Sequence, residues 1–178
     1  MNPRKLQLGF LVSAAGVMLA LLLPLSTEPA AGLIARPAIL AITLAAALSF
    51  VVAAWLGAPR AIGFGLAGAV CACVATLALL RDDTVAGSAG KGFWIIVLAA
   101  WLSSALCVMS LAAVRPRGKK SRRALDMAVP LLFGAFVFYL WEVSVRGFGV
   151  PTVLMPSPSA AAARFMSSLP IQIGRAHV

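Results

Sequence analysis

Acidic side chains are scarce in this sequence: 5 Asp or Glu among 178 residues, against 15 Lys or Arg and one histidine. So few carboxylates leave no pair placed for general acid–base work in a pocket. Asp82 and Asp83 sit together in a short loop beside Arg81, and solvation explains them. Cysteine is equally thin. Cys71, Cys73 and Cys107 all fall inside apolar runs, and the first two, two apart on a helix, point to different sides. With no histidine or acid nearby they read as small packing residues, not metal ligands. No nucleophile–base pair and no phosphate-cradling glycine loop is present. An enzyme reading has nothing to stand on, and no catalytic residue, resident cofactor or metal is expected.

Charge of any kind is short as well. Charged residues make up 11% of the chain and hydrophobic ones 62%, with a mean hydropathy of +1.00. A soluble domain needs about a quarter charged residues to clothe its surface, so a soluble exterior cannot be built here. The net charge of +10 does not signal nucleic acid, because the basic residues lie between apolar runs and form no single soluble face.

What the chain does have is long apolar runs. Between the charged residues lie Leu6 to about Leu25, Pro37 to Pro59, Ala61 to Leu80 and Gly92 to Val114. A fifth, shorter run extends from Met127 through Trp141 and on to Val145. Crossing about 30 Å of hydrocarbon takes about 20 helical residues, which the first four runs reach. Strands would leave backbone groups unpaired in lipid, so helix is the only option. The expected fold is an all-α integral membrane protein with five transmembrane helices. The first run exceeds the core of a signal peptide, and Pro29 among Ser26, Ala30 and Ala31 suits cleavage badly, so it is expected to stay.

Lys and Arg are unequally divided between the two sides. With the N-terminus inside, Arg4, Lys5, Arg60, Arg115, Arg117, Lys119, Lys120, Arg122 and Arg123 share one side, nine in all. Arg36, Arg81, Lys91, Arg146 and Arg164, five residues, share the other. The positive-inside rule then places the N-terminus in the cytoplasm and the segment after Val145 outside. The strip from Arg115 to Arg123 is read as the topology anchor. Docking on anionic lipid, at about 1 kcal/mol per basic residue near the surface, is its alternative role.

No Asp, Glu, Lys, Arg or His interrupts the first four runs, which argues against a pump or charge-coupled carrier built from them. Small residues recur at every fourth position: Ala41, Ala45, Ser49, Ala53 and Gly57, then Ala61, Gly65, Ala69 and Cys73. Such ladders let helix backbones approach closely. Trp55, Trp94 and Trp141 lie near expected span ends, as in an interfacial belt, while Trp101 lies deeper.

The richest stretch runs from Tyr139 to Leu169. Glu142 and Arg146 are four apart, in the favourable order for a helical pair. Gly147 and Gly149 then end the helix, and Pro151 and Pro156 hold an extended exit. Ser157 followed by Pro158 reads as an N-cap with proline at the first helical position. Ala162, Phe165, Met166 and Leu169 then form the stripe of a short amphipathic surface helix.

The ordered set Trp141-Glu142, Val145-Arg146, Val150-Pro151 and Leu154-Met155-Pro156-Ser157-Pro158 resembles the start of the permease core in nitrate/sulfonate/taurine-type ABC importers. There the first core helix ends in a W-E-x-x-x-R pattern, followed by a P-x-x-L-x-P-S-P elbow on the periplasmic side. The resemblance covers Met127 to Pro170, about a quarter of the chain. It implies a multi-pass permease subunit of the bacterial cytoplasmic membrane that forms a homodimer when full length. It also implies that a periplasmic binding protein delivers a small solute, and that separate ATP-binding subunits hydrolyse the ATP. Trp141, Glu142, Arg146, Pro151, Pro156, Ser157 and Pro158 would be structural motif residues.

The chain then divides into a four-span N-terminal membrane region (1–114), a basic cytoplasmic loop (115–126) and the start of a permease core (127–172). Residues 173–178, which include Arg175 and His177, match the translation of a common sequencing adapter. The reading frame is therefore expected to continue past Gln172, with the remaining core helices and the coupling loop beyond it. The alternatives are a non-transporting membrane anchor or assembly subunit, and a lipid-binding or sensory module using the basic loop.

Overall fold

The computed structural model describes residues 3–27, 32–116 and 118–175. Arg117, the Glu28–Ala31 segment and His177 lie outside the described residues. Six α-helices follow one another: α1 (Pro3–Ala20), α2 (Pro37–Trp55), α3 (Ala58–Leu79), α4 (Lys91–Ala113), α5 (Lys119–Gly147) and α6 (Pro158–Arg175). No strand occurs among the described residues. Helices α2, α3, α4 and α5 are each long and apolar enough to cross a membrane.

That is four helices, where five were expected. Helix α1 begins with Arg4, Lys5 and Gln7, and it stops at Ala20 instead of continuing to Leu25. Leu21, Leu22 and Leu23 donate to Met18, Leu19 and Ala20 carbonyls at 3.2, 3.0 and 3.4 Å, the tightened last turn of an ending helix. Pro24 is the cause, since it disfavours helical backbone in the residue before it.

Helices α1 to α4 close a square in which α1 packs on α2 and α4, and α3 packs on the same two. Helix α1 nevertheless runs along the length of α4, from Gly9 against Leu106, past Gly16 against Ile95, to the Ala20 carbonyl against Gly92. Its buried stripe, Leu6, Phe10, Ala14 and Val17, follows the helical period. Small residues make room for the large ones. The Phe10 ring and the Cys107 sulfur fill the space a side chain at Gly65 would need, and Phe50 does the same at Gly68.

The two small-residue ladders behave differently. Ala61, Gly65 and Ala69 do face the interior of the bundle. On α2, Ala41 and Ala45 are exposed and Ala53 is buried, and the inward face is Thr43, Ala46, Ala47, Phe50, Ala53 and Ala54. An alanine-rich helix carries several such ladders at once, and the face that carries Phe50 is the one turned inward.

Most buried hydroxyls bond within their own helices, while Thr76 on α3 also meets the Tyr139 hydroxyl on α5 at 2.9 Å. Ser13, Thr43, Ser103 and Ser110 donate to the carbonyls four residues back at 3.0, 2.7, 2.8 and 2.6 Å. This satisfies them without a polar path through the core.

Helix α5 also departs from expectation. Residues 119–126, expected as loop, form its first two turns, because Lys-Lys-Ser-Arg-Arg-Ala-Leu-Asp holds no glycine or proline and favours helix. Its 29 residues span about 43 Å at 1.5 Å each, more than the hydrocarbon needs. Pro130 lies inside it without ending it. Helix α6 continues to Arg175, past the expected end near Leu169.

Candidate functional site: a clasp at the elbow

The ends of the helices sort the loops into two groups. At one end lie the start of α1, the Leu56–Gly57 turn and the connection from α4 to α5. At the other, the α1–α2 and α3–α4 connections meet: Thr27 N–H donates to Ser88 O at 2.8 Å and Gly90 N–H to Leu25 O at 2.7 Å. The end of α5 joins them, with Gly87 N–H donating to Arg146 O at 2.8 Å and Ala89 N–H to Gly147 O at 3.3 Å. Arg4, Lys5, Arg60, Arg115 and the basic start of α5 therefore share one end of the molecule. Arg36, Arg81, Lys91 and Arg146 share the other.

The end of α5 carries the most connected polar group of side chains. Gly149, with φ +65°, sits just past the helix in the left-handed conformation. Val150 N–H donates to Val145 O at 2.9 Å and Gly149 N–H to Arg146 O at 3.3 Å, the paired bonds of a Schellman ending. Gly87, with φ +82°, lies directly against it: a Cβ on Gly149 would come within 2.8 Å of the Gly87 Cα. The approach requires glycine at 149, while Gly87 is favoured there by its left-handed φ.

Within that frame Glu142, buried in the last two turns of α5, faces the start of α6. Its Oε2 accepts the Ser159 backbone N–H at 2.9 Å, and its Oε1 accepts the Ser159 hydroxyl at 2.6 Å. The first N–H groups of a helix lack partners inside it and favour negative charge, so Glu142 acts as a remote cap for α6. Ser157 caps it locally, its Oγ accepting Ala160 N–H at 3.3 Å. Arg146 completes the chain of contacts. Its Nη1 donates to Glu142 Oε1 at 3.4 Å, and its Nη2 donates to the Leu80 carbonyl at the end of α3 at 2.5 Å. One guanidinium and one carboxylate thus tie three helices together.

The other motif residues serve the same elbow. Pro151 O accepts Leu154 and Met155 N–H at 2.9 and 3.1 Å, turning the chain back toward Pro156, Ser157 and Pro158. Trp141 is half-buried, with no partner for its Nε1, and lines an apolar groove of about 390 Å³ with Leu140, Val145 and Met155. Phe148 stacks on Trp94 at 4.3 Å, and Trp94 Nε1 donates to Ala89 O at 3.2 Å. The apolar stripe of α6 is open, with Phe165 63% and Met166 65% exposed.

A second tie holds the outer loops. Asp82 Oδ1 accepts the Thr84 N–H at 3.0 Å and its hydroxyl at 2.7 Å, while Oδ2 accepts Arg36 Nε at 3.0 Å. The Thr84 bonds first, then Arg36, hold the Asp82 carboxyl down at about 2.

Sequence spacing places Glu142, Arg146 and Ser157, and the structure brings all three together. Ser159, the Leu80 carbonyl, Gly87 and the Arg36–Asp82 pair do not emerge from that reading. The Asp-x-Thr spacing at 82–84 signals a local turn, but nothing in the sequence signals a carbonyl 66 residues away from Arg146. The carboxylate of Glu142, the Arg146 guanidinium and the Ser159 hydroxyl are joined to one another and to backbone groups, so the arrangement positions helices. No family model, curated protein or solved structure matches the chain.

Proposed function

We propose that the chain is the N-terminal part of a membrane-spanning permease subunit of a binding-protein-dependent importer for a small solute. The observation that carries this is the Glu142–Ser159–Arg146 clasp. It gives a physical role to the motif residues that resemble such permeases, because it fixes the direction in which α6 leaves the end of α5. In an importer, a rigid elbow on the outer face holds a surface helix where it can brace the next core helix. The open stripe of Phe165 and Met166 suits that role.

In this reading five helices cross the membrane, since α1 runs beside α4 for most of its length. The basic end lies in the cytoplasm by the positive-inside rule, with the elbow outside. Partners are membrane lipid, an ATP-binding subunit, a periplasmic solute-binding protein and a second copy of the permease.

One observation favours the anchor or assembly-subunit reading: α1 to α4 form a closed bundle with no acidic or basic side chain among the described buried residues of these helices. Recovering the uninterrupted reading frame past Gln172 separates the two. A permease requires about five further apolar spans and a cytoplasmic coupling loop. A stop, or a soluble domain, at that point would overturn it.

A further inference from the structure

We propose that the cavity between the end of α4 and the start of α5 binds one anionic phospholipid, its phosphate held between Arg115 and Arg122. This inference needs only that the chain sits in a membrane, and it stands or falls apart from the importer reading.

The cavity holds about 460 Å³, and both charged and apolar side chains line it. Arg115 enters from the connection after α4, and Arg122 enters from the first turns of α5. Neither guanidinium has a hydrogen bond or ion pair among the described residues. Asp126 also lines the cavity, four residues after Arg122. That order is the less favourable one for a helical pair, and no ion pair joins the two. Lys119, Lys120 and Arg123, exposed on the same first turns of α5, add positive charge nearby. The start of α5 has no side-chain cap and no acid in its first turn, so its free N–H groups add to the positive field.

Further along both helices from the two arginines, the lining is apolar apart from Asp126. Leu111 on α4 and Leu125 and Val129 on α5 are half-buried and apolar. A free phosphate would use the two arginines alone. Basic groups beside an apolar cleft, at the end of two helices long enough to span, suit phosphate at the one and acyl chain along the other. Guanidinium groups match phosphate oxygens in a two-pronged geometry. Five basic side chains against the single Asp126 select a lipid of net negative charge over a zwitterionic one.

The test uses the whole chain in nanodiscs, comparing phosphatidylglycerol with phosphatidylcholine and phosphatidylethanolamine of matched chains. Lipid retention is read by native mass spectrometry. The two variants to compare, Arg115→Gln with Arg122→Gln and Lys119→Gln with Lys120→Gln, remove equal charge. Diffuse attraction would weaken phosphatidylglycerol retention equally in both, by about fivefold per residue. A built site loses at least about tenfold more in the arginine pair, because two-pronged phosphate contacts go with it. Equal losses, or equal retention of phosphatidylethanolamine by the parent chain, would overturn the proposal. So would full competition by soluble glycerol phosphate at the lipid's own affinity, which would leave the apolar cleft without a role. The charge-keeping pair Arg115→Lys with Arg122→Lys guards against misfolding. It should bind more tightly than the glutamine pair, and failure to do so in a protein as heat-stable as the parent counts against the site.

Discussion

Helices α3 and α5 are both apolar enough to span, yet 44% of the most apolar stretch of α3 is buried inside the protein and only 17% of that of α5. Helix α3 packs on both α2 and α4, and its Gly65 and Gly68 receive the rings of Phe10 and Phe50. Helix α5 touches the bundle mainly near its C-terminal end, at Tyr139, Glu142, Val143, Val145 and Gly147. Its other half presents Met127, Leu131, Phe133, Val137 and Phe138 to its surroundings. The bundle is held by packing, and the α5–α6 arm by hydrogen bonds and a charge at one end. Packing in a bundle is shared among many contacts, whereas the arm depends on a few named atoms.

The largest expected effect separates these two modes. Phe50→Ala empties a fully buried ring site and should destabilise the chain by about 3–5 kcal/mol. Phe133→Ala on the open side of α5 should stay within about 0.5 kcal/mol. Denaturation in mixed micelles measures both. Similar losses would mean that α5 is packed as the bundle is.

A smaller effect is expected at the clasp. Glu142→Ala removes the acceptor for the Ser159 N–H and hydroxyl and should cost about 1–3 kcal/mol locally. The contact with Arg146 adds little at 3.4 Å with that side chain one-third exposed. Limited proteolysis should cut α6 faster, while the unfolding of α1–α4 stays unchanged. Loss of the bundle transition would show that the arm and the bundle are one cooperative unit.

How much of this was legible follows from the kinds of contact involved. Apolar runs bounded by charge revealed α2, α3 and α4 to within a few residues, because helix is their only outlet in lipid. The end of α1 was misplaced because Leu21–Leu25 is as apolar as the helix before it, and only Pro24 marks the stop. The first turns of α5 were hidden by their charge, which reads as loop although those residues favour helix. At the elbow, Glu142, Arg146 and Ser157 were visible through local spacing. Their partners at Ser159, Leu80 and Gly87 depend on which elements meet in three dimensions. The inward face of α2 was not legible either, since small residues lie on several of its faces.

The smallest expected effect concerns pH at the outer loops. Thr84 and Arg36 lower the Asp82 carboxyl from 3.8 to about 2, so the folded state favours its charged form. That contribution is complete above the ordinary value and fades as pH falls from about 4 toward about 2. The melting midpoint in detergent should drop over this window in the parent chain, and less in Asp82→Asn. An equal drop in both would assign the acid sensitivity to other carboxylates.

The two-ended arrangement is open to a direct measurement by cysteine labelling in intact cells. Val153, at the elbow tip, is 90% exposed, and Lys119 opens the basic helix at the opposite end. With the native cysteines replaced by alanine, a membrane-impermeant maleimide should label Val153→Cys in intact cells. It should reach Lys119→Cys only after the membrane is opened. Labelling of Lys119→Cys in intact cells, or of both positions from one side, would contradict a chain whose basic end and elbow lie on opposite faces of the membrane.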